Sequence, residues 1–458
     1  MAGPVPTDRR THSLLIALTL AVVLSRVAVI LWLRTYLGDA GVYEHDEIAR
    51  SLVAGDGFRF TFFGLSAEPS GHQAPAIPML LAAGYAAFGT GAPSAKLFVQ
   101  LGLALLAGGG AYALGSIANR WWGGRAMVIA MLGFLAYPAF AYMPTRVQAV
   151  NWALPFLLMF VAGFVALAEG RETTKTAALT GLIGGLGALG EPILAAPFGL
   201  CWLWLLTQRQ VRTRYAITVA AVCALTIAPW LVRNAITLGK VGFVKTSFWY
   251  VAWQGNHPAA TGTDKLDVSP SVAHALAWRV AGGRETEALL DSARQQAVSV
   301  DIAISSADSA ALRALPTEEA RMEWFGARLR RELSGEPWSY PRVVARRALM
   351  LLWFDPTNPR SYVAAYRVPY LVLAGLALVG LVLLGRGGAW PAGFGAWVAG
   401  LGGLVVVHTL VITSARFRLP IEALLLLPAA YAVHRLLESA RARRAPESSG
   451  AGSPSLVP

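Results

Sequence analysis

This sequence carries little charge. Only 14% of its 458 residues are Asp, Glu, Lys or Arg and 55% are hydrophobic, where a soluble chain carries roughly 25% charged residues. So little polar surface cannot cover a water-soluble core, and soluble globular, fibrous and disordered classes are excluded. Cysteine is also scarce. Cys201 and Cys223 both lie inside apolar runs, which excludes a disulfide framework. No internal repeat is visible, so an inverted-repeat transporter is not suggested. Acids number 26 against 39 bases. In a soluble chain that excess would raise nucleic-acid binding, but these bases sit in short segments between apolar runs, so no nucleic-acid partner is expected.

Long apolar runs are what the chain does have. They fall at Leu14 to Leu33, Leu97 to Ile117, Met127 to Met143, Trp152 to Ala168, Ala177 to Leu189, Ile193 to Leu206, Ala216 to Val232, Val368 to Leu384, Phe394 to Ile412 and Leu419 to Val433. Most approach the roughly 20 residues a helix needs to cross a bilayer. The expected fold is an all-α polytopic membrane protein with about ten transmembrane helices. A further run, Ala76 to Phe88, is bounded by Pro75 and Gly89 and better suits a helix lying in the membrane surface. With that run on the outer face, short inner segments hold fourteen basic residues and outer ones six; if it crossed, the bias would invert. Residues 34 to 95 are therefore expected in one outer loop, with both termini cytoplasmic.

This gives a transmembrane module over residues 1–232, an extracytoplasmic subdomain over 233–367, transmembrane helices over 368–437 and a disordered cytoplasmic tail over 438–458. The polar subdomain is expected to be mainly helical. Within it, Thr317 followed by Glu318 and Glu319 reads as a helix start, and Met322, Phe325 and Leu329 form a core-facing stripe.

Most of the chemically unusual residues gather at the outer boundary. In YEHDEIARSLVAGDGF at 43–58, Glu44, Ile48 and Leu52 share one helical face, with Glu44, Asp46 and Glu47 crowded at its start. A carboxylate at such a boundary is the kind of group from which a general base is made; a solvated acidic turn, with Arg50 answering Asp46, is the plainer alternative. Arg416 and Arg418 stand directly before the last apolar run, against the charge bias; they could serve an anion or anchor headgroups. Arg233 with Asn234, the aromatic group Trp249, Tyr250 and Trp253 beside Gln254 and Asn256, and Glu191 before Pro192 occupy the same boundary. Arg26 lies in mid-span and is expected in a structural ion pair inside the bundle.

YEHDEIARSLVAGDGF, SGHQAPAIPMLLAAGYAAFG at 70–89, APWLVRNAITLGKVGFVKTSFWYVAWQGNHPAATGT at 228–263 and SARFRLPIEALLLLPAA at 414–430 together resemble GT-C glycosyltransferases. The subgroup is the users of polyprenyl-phosphate sugars, related to lipid A aminoarabinose transferases and protein O-mannosyltransferases. The resemblance implies inverting transfer of a sugar from a polyprenyl-phosphate donor to an acceptor of unknown kind at the outer face. It also implies a first-loop acid as base: Gly41 and Val42 stand at the family's usual Asp-Glu pair, so the role falls to Glu44, then Asp46. Arg416, Arg418 and Arg233 would hold the phosphate, with His72 as a further donor. Trp253 and Asn256 would line the substrate site, and Glu191 the cavity. Gln148 and Asn151 stand where many members have an acid, so a divalent metal is doubtful and the cofactor is unknown. Membrane lipids are the other expected partners. A flippase or transporter of lipid-linked sugars, or an oligosaccharide ligase or polymerase, are the rival readings.

The topology has a direct test. A single cysteine placed at Thr90 should react with an impermeant thiol reagent from outside; labelling from the cytoplasm alone would put Ala76 to Phe88 across the membrane.

Overall fold

The computed structural model describes residues 9–62, 67–170, 173–209, 211–239, 242–257, 260, 262–263, 306–355, 358–388 and 390–444. The acids of the polar segment between 264 and 305, and the disorder expected from Pro446 to Pro458, fall outside them. Among the described residues are sixteen α-helices: α1 (Arg9–Leu33), α2 (Glu44–Ala54), α3 (Ala76–Phe88), α4 (Pro93–Ala136), α5 (Pro138–Tyr142), α6 (Val150–Ala168), α7 (Thr174–Gly190), α8 (Ala195–Thr207), α9 (Thr213–Leu238), α10 (Phe248–Asn256), α11 (Ser306–Ala314), α12 (Glu318–Gly335), α13 (Ser339–Leu352), α14 (Ala364–Gly387), α15 (Phe394–Leu410) and α16 (Leu419–Arg444). A two-stranded ladder pairs β1 (Arg59–Phe60) with β2 (Glu68–Pro69), antiparallel. Among the described residues six helices are long and apolar enough to cross a membrane, and the chain is an all-α polytopic membrane protein.

Two expected spans are joined in α4. At 44 residues it would be about 66 Å long if straight, twice a hydrocarbon core. It is not straight. Gly123 has φ 82° and ψ −179°, outside helical geometry and in a region few L side chains adopt. A Cβ at Gly115 would lie 2.9 Å from Met131 Sδ; these residues flank Gly123 eight positions to either side, so α4 folds back there into two legs. Both expected runs, Leu97 to Ile117 and Met127 to Met143, thus keep their own legs, although the second ends early, at Ala136.

Pro138 explains that early end, and Arg26 seals it. Pro138 has no N–H to offer the carbonyl of Phe134, four residues before it. Buried Arg26 donates to Phe134 O at 2.7 Å and to Leu135 O at 3.1 Å. The expected ion pair is replaced by two carbonyls that the helix end leaves unpaired. Among the described residues no acid answers Arg26; these carbonyls and the Ser25 hydroxyl do.

Close backbone approach holds the remaining helices together, as expected where lipid offers no hydrophobic contrast. On α7, Gly181 faces the Val219 carbonyl of α9, and a Cβ at Gly185 would come within 2.6 Å of Thr226 Cβ. Gly380 of α14 meets the Pro428 carbonyl of α16. The short helix α3 has the expected bounds and packs on α2 and α4. Thr317 caps α12 by accepting from Ala320 N at 3.2 Å, and Met322, Phe325 and Leu329 are buried.

Because a side chain at Gly380 would strike backbone that cannot yield, Gly380→Val should lower unfolding stability by about 1–3 kcal/mol or more. Thermal unfolding in detergent would measure this, with exposed Gly375→Val as the tolerated control.

Candidate active site

At the end of the bundle that carries residues 34–95, three segments enclose a cavity of about 430 Å³. They are the turn from α5 to α6, the start of α14 and the 3-10 turn Ala415–Arg418. Its polar wall is formed by Tyr142, Arg146, Gln148, Asn151, Tyr366 and Arg416, and apolar side chains complete it.

Arg146 ties this wall to the first loop. Its guanidinium donates to Asp39 O at 2.7 Å, Asp39 Oδ2 at 2.8 Å and Tyr43 Oη at 3.2 Å. The backbone repeats the join, with Val147 N donating to Ala40 O at 2.7 Å. Gly41, at φ 69°, makes the approach feasible: a Cβ there would lie 2.9 Å from Arg146 Nε. Its N–H also donates to Asp39 Oδ1 at 2.7 Å. Burial works against the charge on Asp39, but hydrogen bonds from Arg146 and Gly41 outweigh it and hold the carboxyl below its usual value. Asp39 is thus a carboxylate at neutral pH, with 73% of its side-chain surface still exposed. On the wall beside Arg146, Asn151 donates to Arg146 O while its own Oδ1 is buried and accepts no hydrogen bond. The cavity therefore offers two guanidiniums, amide groups, tyrosine rings and one adjoining carboxylate. That set suits an anion with hydroxyl-bearing groups attached; a divalent cation would want converging oxygens, and among the described residues no group of three His, Cys, Asp or Glu side chains converges.

Of the residues singled out from sequence, Arg416 lines this cavity, its guanidinium 5.2 Å from the Phe417 ring centroid. Arg418 is 2% exposed. It pairs with Glu422 at 2.7 Å, donates to Trp353 O and lies 3.7 Å over the Tyr370 ring. Glu44 is half-buried at the start of α2, and Ile48 and Leu52, spaced to share its face, belong to the apolar cluster that also holds Phe58 and Trp230. Asp46 is held by Arg50 at 2.8 Å and by the Tyr85 hydroxyl. Glu191 ends α7 and is half-buried.

The other four meet at a second place, the apolar junction where the first loop packs on α9, α10 and α12. Arg233 donates to Ser70 O at 2.7 Å and Phe58 O at 3.0 Å. His72 stacks on Phe60 at 5.0 Å; burial, then the charge of Lys245, pushes its pKa down to about 3, so it is neutral. Trp253 is 1% exposed and donates to Glu332 at 3.2 Å. Asn256 bonds Ala252 O and Val411 O and accepts from Arg347 at 2.9 Å.

Four residues that organise these places were not among the site residues read from sequence: Asp39, Arg146, Arg347 and Glu318, the last named only as part of a helix start. Glu318, 3% exposed, accepts from Ser70 Oγ at 2.5 Å, from Gly71 N at 3.1 Å and from the Thr246 hydroxyl. It locks the SGHQ segment to α12. Arg347 donates to Thr409 O at 2.6 Å, Gly255 O at 2.7 Å, Val411 O and Leu410 O at 3.0 Å, besides Asn256. It closes the carboxyl ends of α10 and α15 together, and burial lowers its pKa to about 10 without removing its charge at neutral pH. In ARRALML it reads like its neighbours, so only the arriving helix ends distinguish it.

Fold and cavity define a multi-pass membrane protein with a basic pocket at one end. No protein-family model matches the chain, and no curated protein does. Two solved structures are similar. One is ArnT from Cupriavidus metallidurans bound to undecaprenyl phosphate, 15% identical, covering 92% of this chain and 79% of that one with a TM-score of 0.40. The other is the same protein in the apo state, 16% identical, covering 85% and 71% with a TM-score of 0.36. What the cavity can do follows from the residues that line it.

Replacing Arg347 with Met should strand several buried carbonyls at once and cost on the order of 3 kcal/mol. Arg342→Met, at an exposed position of α13, should change stability by less than about 0.5 kcal/mol. Melting of the two purified variants would separate them; equal melting temperatures would remove Arg347 from its capping role.

Proposed function

We propose that this protein is an integral-membrane glycosyltransferase that moves a sugar from a polyprenyl-phosphate carrier to an acceptor, with inversion, at the outer membrane face. The observation that carries the proposal is the cavity itself, in which Arg146 and Arg416 face a space of about 430 Å³ with a first-loop carboxylate at its edge. A departing polyprenyl phosphate gains negative charge as its bond to the anomeric carbon breaks, and two fixed guanidiniums in a partly dry site stabilise that charge where it develops. The apolar wall accommodates the first units of the carrier chain. Asn151 Oδ1, buried and without a donor, is suited to a sugar hydroxyl.

The acceptor's oxygen or nitrogen attacks the anomeric carbon, the carbon–oxygen bond to phosphate breaks with its electron pair going to the carrier, and the acceptor's proton passes to a carboxylate. Among first-loop acids the geometry favours Asp39 over Glu44. Asp39 touches an arginine of the cavity wall, whereas the Glu44 face turns toward the junction with Trp230, and Asp46 is already held by Arg50 and Tyr85. A donor phosphate that draws on Arg146 weakens its hold on Asp39 and returns basicity to the carboxylate. Arg418 acts from below, fixing the start of α16 so that Arg416 reaches the cavity.

Purified protein incubated with a panel of polyprenyl-phosphate sugars should release free carrier from one donor, seen by mass spectrometry; release from none would sink the transferase reading. Arg416→Ala should weaken donor binding by about 10- to 150-fold, as expected for one charge-assisted contact. Asp39→Asn should cut turnover about 10²- to 10⁴-fold with donor binding largely kept. If Glu44→Gln shows that loss instead while Asp39→Asn stays active, the base is Glu44.

A further inference from the structure

A second cavity, of about 540 Å³, lies at the opposite end of the bundle, between the start of α1, the fold-back of α4 and the last turns of α16. It is far from the first, since the 25 residues of α1 separate the two ends by about 37 Å. Arg125 and Arg441 line its rim with His434, and Leu14, Ile129 and Leu437 line the space beneath. The acid present is already answered: Glu438 meets Arg435 at 3.6 Å and His434 at 3.3 Å. Arg125 and Arg441, both exposed, make no ion pair or hydrogen bond among the described residues. Two uncompensated guanidiniums therefore stand above an apolar slot. That slot opens toward lipid, because Leu14 and Leu437 remain 44% and 51% exposed. Trp121, Trp122 and Tyr431 cluster on the neighbouring turns, the aromatic composition of a membrane–water boundary.

We infer that this cavity binds the headgroup of an anionic phospholipid, its phosphodiester between Arg125 and Arg441 and its acyl chains along Leu14, Ile129 and Leu437. A free phosphate would satisfy the rim and leave the apolar slot unused; a neutral lipid would fill the slot and leave both cations unpaired. Only a molecule with a negative head and apolar tails answers both parts. The site is separate from the proposed transfer chemistry and does not depend on it.

Native mass spectrometry of the full-length protein in detergent, titrated with phosphatidylglycerol or phosphatidylcholine, tests this. Phosphatidylglycerol should be retained in preference. The double variant Arg125→Gln/Arg441→Gln should reduce its retention about tenfold or more, while Arg386→Gln, a basic residue outside the cavity, should leave it unchanged. Ile129→Trp, which fills the slot and keeps both charges, should also reduce retention and guards against an effect of general charge. Equal retention of the two lipids, full retention in the double variant or in Ile129→Trp, or displacement of the lipid by glycerol phosphate at equal concentration would overturn the inference.

Discussion

A helix that ends inside protein or membrane leaves carbonyls with no partner along the chain, and without water they must be bonded by something else. Here distant arginines meet much of that need. Arg26 bonds the end of α4, Arg347 the joined ends of α10 and α15, and Arg418 the carbonyl just past α13. Each carries several donors on a rigid fork and brings positive charge to the negative end of a helix dipole, so one side chain can satisfy two or more carbonyls. The arrangement also fixes how segments far apart in sequence meet.

The same constraint bears on the site. Arg26, Arg347 and Arg418 are buried against helix ends, and the arginines that line the cavity are Arg146, itself bonded to Asp39, and Arg416. Arg146 can approach the first loop because Gly41 leaves room, and the loop is anchored on its far side where the Glu318 carboxylate gathers Ser70, Gly71 and Thr246. Ordering that buried carboxylate among three donors offsets its desolvation. It makes α12, in the polar segment, a structural support of the first loop.

Much of the fold was legible because its signals are local. The run from Ala76 to Phe88 shows its length, its proline and its glycine within fifteen residues, and the structure keeps those bounds. Thr317 caps the next helix through a contact three residues away. The fold-back at Gly123 was legible only as a gap between runs, since the sign of φ at a glycine is not written in the sequence. The candidate site was less legible. Arg416 and Arg418 are two residues apart and chemically identical, yet one lines the cavity and the other is buried against Glu422 and Trp353.

By itself the sequence determined where apolar helices form and that the chain lives in a membrane, because hydrocarbon thickness and hydrogen-bond satisfaction act on each segment separately. Tertiary structure decided which charges reach the cavity and which are buried at helix ends. Whether an arginine is a ligand or a cap depends on which helix end arrives beside it, and Arg26 shows the reason: its partner is a carbonyl orphaned by a proline more than a hundred residues away.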